Sequence, residues 1–451
     1  MLIEQFFDAG LGHASYLCAD PEAGVAFLVD PGRDIDSYLG AAARLGVLIT
    51  HTFETHVHND YLSGSRALAD LRPVTVVASA SAGLRYAHQA VADGDRVRVG
   101  ELDVRAVATP GHTPEHVAWL VADLRRAEEP QYLFSGGALL VGHIARVDLL
   151  GAEQEAHLAR DAFATLRERI LTLPDHLAVF PTHGGGSACS GAVSGSRWTT
   201  LGFERTHNHV ARAASSDFAS FRRVIGHELP AAPPYYPHVR ERNREGASPA
   251  ARGPIRQLDE AALVRSDAAL LDPRPPHIFA LGHRSGALNV VGNDGFASRV
   301  GATVPFGSPC VILTDDAEQA GRLRGQLAEI GYDLVLGYAT PAPSGGALEQ
   351  MALVDPAEAD RRRSAGDLVL DVRELAEWAG GHVPGAVHIP YPELRARLGE
   401  LPRERPVVAY CASGVRSSLA ASILAADGRT ARNLRGGFAA WQRAGLEVTT
   451  L

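Results

Sequence analysis

The chain has 451 residues, too many for a single core, and its 46% hydrophobic and 21% charged composition is that of an ordinary globular protein with roughly two to four domains. A formal charge of −9 argues against a general nucleic-acid binder, which needs a basic face, and the absence of lysine rules out P-loop and Schiff-base chemistry. The opening MLIEQFFDAG lacks the basic-then-apolar order of a secretory signal, and no apolar run approaches the ~20 residues of a membrane span. Cys18, Cys189, Cys310 and Cys411 are scattered with no CxxC pair, as expected of free thiols in a reducing cytoplasm.

Residues 1–205 alternate short β-rich runs (VAFLVD, PVTVVAS, HVAWLVA) with Gly- and His-rich turns and helical stretches, an α/β pattern. Its histidines gather at strand ends. THVHNDY places His56, His58 and Asp60 two apart on a strand-to-helix turn, and His112 (TPGHTPEH) and His183 (PTHGGG) follow far downstream. Five donors, each beside Gly, Thr or Pro turns, predict a metal site better than five unrelated surface residues do. Cys18 closes the apolar run ASYLC and is expected in the core.

Residues 206–255 change character to an Arg-rich helical stretch and then AAPPYYPHVRERNREGASPAARGP, predicted as a connector. Beyond it the chain repeats. Asp272, Arg274, Gly282, His283, Gly286 and Ala287 recur 99 residues later as Asp371, Arg373, Gly381, His382, Gly385 and Ala386. Two successive α/β domains of one kind are expected, at 256–345 and 352–451.

In the second copy VVAYC reads as a buried strand, and SSLAASILAADG as a helix with Leu419, Ile423 and Leu424 on one face and Gly428 as its stop. Cys411 therefore falls between a strand end and a helix start, where backbone N–H groups and the helix dipole favour a thiolate. Ala412, Ser413, Gly414 and Val415 form the substrate-binding loop, and Arg416 is placed to pair with an anionic donor. The first copy reads Thr314-Asp315-Asp316 where that cysteine should stand, and Cys310 lies four residues early in the strand, so this copy is expected to be inactive.

The stretches DVRELAEWAGGHVPGAVHIP, YCASGVRS and LRGGFAAW resemble the rhodanese family, which implies that Cys411 accepts a sulfane sulfur as a persulfide and hands it on. The six-residue loop from Cys411 to Arg416 is similar to that of the sulfurtransferases rather than the longer loop of the related phosphatases. ETHVHNDYLSG, TPGHTPEH, LFSGGALLVGHIARVDLL and THGGGSACSG resemble the metallo-β-lactamase fold, and within it the persulfide dioxygenases fused to rhodanese domains. That resemblance implies an αββα sandwich followed by two rhodanese-like domains. It also implies one Fe(II), with zinc as the alternative ion, held by His56, His112 and a carboxylate. The family's Gly-Asp is here Gly136-Gly137, so the carboxylate is missing, and His58, Asp60 or His183 are the candidate replacements. Tyr61 stands where hydrolytic members carry a histidine for a second metal, Asp148 is expected to be structural, and the resemblance implies for Cys189 a thiol beside the pocket that can carry sulfur, the alternative being a small buried core residue.

The leading expectation is oxidation of a low-molecular-weight persulfide to sulfite, coupled to sulfur transfer through Cys411. The alternatives are a sulfurtransferase with a metal-impaired front domain, and a thioester hydrolase of glyoxalase II type. The expected partners are small molecules (a persulfide, thiosulfate or sulfite), with no nucleic acid or membrane, and a homo-oligomer is compatible with this reading.

Overall fold

The computed structural model describes residues 1–190, 195–225, 231–264, 266–342 and 347–450. The boundary expected near residue 345 lies outside the described residues. The chain divides into two compact units, Met1–Ala232 with Tyr236–Ala250, and Pro233–Tyr235 with Ala251–Leu451.

The first unit is a sandwich of two six-stranded sheets. One runs in chain order through Leu2–Asp8, His13–Asp20, Val25–Val29, Leu48–Phe53, Thr75–Ser79 and Gln89–Val91. The other is ordered Thr199–Thr200, Ala178–Pro181, Tyr132–Gly136, Val117–Asp123, Leu102–Ala108 and Arg96–Val99. The central strands HASYLCAD and VAWLVAD are buried on both faces, and their side chains sort by the period of two. Ala14, Tyr16 and Cys18 join Val117, Trp119 and Val121 between the sheets. Leu17 and Ala19 pack outward against helix Ile35–Leu45, while Ala118 and Leu120 pack against Ala152–Ala164 and its neighbours. The result is four layers, helix–sheet–sheet–helix, with Cys18 in the core as expected.

The segment 206–255 does more than connect. It forms helices His209–Ser216, Phe218–Ile225 and Tyr236–Glu245, all within the first unit, and the last of these buries Val239, Arg240 and Asn243.

The second unit contains two parallel sheets, as the internal repeat predicts. The first copy orders its strands Leu288–Asn289, Ala269–Asp272, Cys310–Leu313 and Val335–Ala339. The second orders them Ala352–Val354, Ala431–Leu434, Val407–Tyr410, Leu368–Asp371 and Val387–His388. The repeated residues make the same bonds in both copies. Arg274 Nη2 donates to Asp272 and to the Gly282 carbonyl (2.6 and 2.9 Å), and Arg373 Nη2 donates to Asp371 and to the Gly381 carbonyl (2.5 and 2.8 Å). His283 stacks on Phe279 at 3.8 Å and His382 on Trp378 at 3.5 Å. Among the described residues no helix is long and apolar enough to cross a membrane.

Candidate active sites

Strand Leu48–Phe53 delivers Glu54 to Tyr61 to one edge of the sandwich, where the loops carrying His112 and His183 also end. The rings of His56, His112 and His183 form a triangle with centroid separations of 4.8, 5.3 and 5.4 Å. All three are buried, and each commits its Nδ1. His56 faces Thr55 Oγ1 (2.8 Å), His112 the Arg146 carbonyl (2.6 Å) and His183 the Asp60 carboxylate (3.3 Å). Each Nε2 has no hydrogen-bond partner. Burial and the neighbouring imidazoles push the pKa of His56 and His112 well down, which keeps their lone pairs available. Buried imidazoles with bare Nε2 atoms are donors of the kind that hold zinc or iron(II), and His183 shares one donor cluster with His56 and His58 and another with His112 and Cys189.

The remaining expected ligands are placed differently. His58 turns Nε2 toward Asp30 and Glu54, 3.2 Å from each, and presents Nδ1, which is unpartnered and close to His56 and His183. Burial opposes charge on His58, but the two carboxylates outweigh it and raise its pKa to about 10. Asp60 faces His183 and orients it. Tyr61 is buried, stacks on His13 at 3.6 Å and donates to the Asp30 carbonyl. Asp148 is structural, as expected: it clamps Arg146 through two 2.6 Å bonds, and the Arg146 carbonyl in turn holds His112. Cys189 is buried near His112 and His183, and burial raises its thiol pKa well above the ordinary value.

Gly137 offers no donor, and a Cβ there would lie 2.7 Å from His112 Cδ2 and 2.9 Å from Ala145 Cβ. The site has closed over the place of the missing carboxylate.

Sequence reasoning missed the supports. Asp30 accepts from Thr55 N (2.7 Å), Thr55 Oγ1 (2.7 Å) and Thr182 Oγ1. Glu54 accepts from Ser63 and Ser65 as well as facing His58. His116, four residues after His112, receives the Gly137 N–H at Nε2 (2.9 Å) and stacks on His56 at 5.1 Å; burial pushes its pKa down to about 3. From helix Tyr236–Glu245, Arg240 donates to the Val57 carbonyl and Glu115, and Asn243 bridges the His58 and Tyr61 carbonyls and Ser63 N. The only local signals were the D-P-G turn after a strand and the i, i+4 histidine pair.

In the second unit Cys411 directly follows strand Val407–Tyr410, and helix Val415–Ala426 begins four residues after it. Its Sγ receives Gly414 N–H at 3.1 Å and Ser417 O–H at 3.4 Å. Gly414, at φ +99°, lets Ala412–Val415 fold over the sulfur. The LRGGF motif backs the loop: Phe438 N–H donates to the Cys411 carbonyl (2.7 Å), and a Cβ on Gly437 would lie 2.3 Å from that oxygen. Arg416 is not left open for an anion. Glu377 pairs with it bidentately at 2.7 and 2.8 Å, and although burial disfavours its charge, that pair raises its pKa.

The first copy has a shorter junction at the equivalent place. Three residues separate the strand from helix Ala317–Glu329, and Asp316 caps the helix by accepting from Glu318 N (2.9 Å) and Gln319 N (3.2 Å). Cys310 is core, and burial pushes its thiol up to about 12.

Two sheets between helices with histidine loops on one edge, followed by a strand–Cys-loop–helix unit, define a metallo-β-lactamase-fold protein fused to a rhodanese domain. The rhodanese-like domain family model matches residues 355–444. A metallo-beta-lactamase from Staphylococcus aureus subsp. aureus COL superposes with a TM-score of 0.68 at 29% identity, over 76% of this chain and 99% of that one. Human mitochondrial persulfide dioxygenase ETHE1 is 30% identical over 188 residues, 41% of this chain and 68% of the relative. A sulfurtransferase from Allochromatium vinosum is 43% identical over 82 residues, 18% of this chain and 77% of that protein. The chain belongs to the ETHE1-like persulfide dioxygenase family, in a fusion with rhodanese.

Proposed function

We propose that this sulfur-metabolism enzyme moves sulfane sulfur through Cys411 and oxidises a low-molecular-weight persulfide, such as glutathione persulfide, to sulfite in its front domain, within a reducing cytoplasm. The observation that carries the transfer reading is the Cys411 loop, with Gly414 N–H at 3.1 Å from Sγ and Ser417 behind it. These donors stabilise the negative charge that moves through the sulfur in the reaction. The thiolate attacks the sulfane sulfur of thiosulfate, the S–S bond breaks, and sulfite leaves with the bonding electron pair. An acceptor thiolate or sulfite then attacks the outer sulfur of the Cys411 persulfide and regenerates the thiolate.

In the front domain His56, His112 and His183 are the residues that would hold one iron(II), and a redox-active ion there supplies the one-electron chemistry O2 requires. Asp30, Glu54 and helix Tyr236–Glu245 keep the loop that carries His56 and His58 in place. Purified protein is expected to carry near-stoichiometric iron, to consume O2 with glutathione persulfide, and to lose thiosulfate sulfurtransfer in Cys411→Ser. Gly137 favours a second reading, in which the front domain binds and delivers persulfide without oxidising it. Iron-loaded protein that transfers sulfur but takes up no O2 would establish that reading instead.

A further inference from the structure

The front site lacks an anionic donor at Gly137, yet a sulfur lies where one is needed. His112 Nε2 and His183 Nε2 are buried without a hydrogen-bond partner, and Cys189 Sγ lies within 4.8 Å of a nitrogen of each ring. The thiol is weakly engaged: its hydrogen bond to Tyr236 Oη is 3.8 Å long. Its position is nonetheless fixed by the backbone. Arg146 N–H donates to the Cys189 carbonyl (2.8 Å), while the Arg146 carbonyl accepts from His112 Nδ1 (2.6 Å). One residue thus holds His112 on one side and Cys189 on the other, and Ser187 Oγ accepts the Cys189 N–H at 3.1 Å. Ala145, whose methyl group fills the space a side chain at 137 would need, pairs with Ser190, the next residue after Cys189. The same loop that closes over Gly137 brings the sulfur in.

We propose that Cys189 is a metal ligand, completing a His112–His183–Cys189 site in which a thiolate replaces the carboxylate that Gly137 cannot supply. This rests on the metal-binding reading of the front domain. The ion is a borderline-soft divalent cation, zinc or iron(II), because two imidazoles and a thiolate are its preferred donors. As the ion binds, the S–H bond gives its proton to solvent and the sulfur lone pair forms the metal–sulfur bond, with no change in oxidation state. His56 lies beside this set, its ring 4.8 Å from that of His112. A thiolate committed to the metal is not a free sulfur carrier, so transfer chemistry falls to Cys411 alone.

The test uses the full chain as Cys411→Ser, which removes the rhodanese thiol as a competing donor, loaded anaerobically with one equivalent of Co(II). An intense sulfur-to-Co(II) charge-transfer absorption in the near ultraviolet is expected, and it is lost in Cys189→Ser. Zinc-edge X-ray absorption of the zinc-loaded protein needs no change at Cys189 and is expected to show a sulfur shell at ~2.3 Å beside nitrogen at ~2.0–2.1 Å. Co(II) retained with ligand-field bands only, and zinc with nitrogen and oxygen neighbours only, would overturn the proposal while the metal-binding reading stands. Failure to retain either ion would overturn both.

Discussion

Asn243 offers a quantitative test of how the metal-binding loop is held. Its side-chain amide donates to the carbonyls of His58 (2.9 Å) and Tyr61 (2.8 Å) and accepts from Ser63 N (2.9 Å), all in a buried setting. Asn243→Ala strands two carbonyls and one N–H. At roughly 1 kcal/mol each, the low end for an unsatisfied buried group because water can enter the space vacated by the amide, the loss is about 3 kcal/mol. Since about 1.4 kcal/mol is tenfold, amides of residues 54–65 should exchange about a hundredfold faster through local opening. Hydrogen exchange read by mass spectrometry on that peptide measures it directly, without a global unfolding transition that two compact units would blur. Asn243→Asp keeps the bond to Ser63 N but turns a carboxylate oxygen toward two carbonyls, so it should open the loop at least as much. Unchanged protection of residues 54–65 in Asn243→Ala would refute the assignment of helix Tyr236–Glu245 as the loop's anchor.

Cys310→Ser should leave thiosulfate sulfurtransfer at the wild-type rate, because that sulfur lies in the core of the first copy; a fall comparable with that of Cys411→Ser would contradict this. Glu377→Gln releases Arg416 and should lower KM for thiosulfate, by at most about fivefold since the pair is only half-buried, with a smaller effect on kcat. The same pair gives a pH dependence. Burial alone would raise the Glu377 pKa, but Arg416 outweighs burial and depresses it. The pair's contribution to stability is therefore complete above the ordinary glutamate value of about 4.3 and is lost as pH falls through the depressed one. Acid titration followed by hydrogen exchange of the 411–416 loop should show that loss in wild type and not in Glu377→Gln. Gly137→Asp should cost about 1–3 kcal/mol of thermal stability through its clash with His112, and should weaken metal binding rather than restore it. Tighter iron binding in that variant would show that His112 can yield.

The duplicated α/β units were legible because their framework is local. Asp272 and Arg274 are two residues apart, as are Asp371 and Arg373, and each pair closes on a glycine carbonyl eight residues on. The histidines were legible for a similar reason, since each marks a strand end. The supports were not. Arg240 reaches Glu115 across 125 residues, and Asn243 reaches His58 across 185. Their helix buries charged and amide groups, so hydrophobic periodicity cannot reveal which face turns inward. Arg416 was expected to receive an anion because Glu377, 39 residues earlier, gives no sign in the sequence of being its partner. Gly137 was legible as a loss, but its filled surroundings became visible only with His112 and Ala145 in place.

The two rhodanese-like copies keep one frame and differ at the junction between strand and helix, four residues long around Cys411 and three at Thr314. Building a sulfur loop into the first copy is therefore not a matter of one codon. Thr314→Cys would deliver a thiol to a helix end already sealed by Asp316, with one residue fewer in the junction to curl around a sulfur. An engineer would have to lengthen the turn and remove the cap together. Either change alone is expected to leave the first copy without sulfurtransfer, so a stepwise mutational path to a second sulfur loop would offer no graded gain.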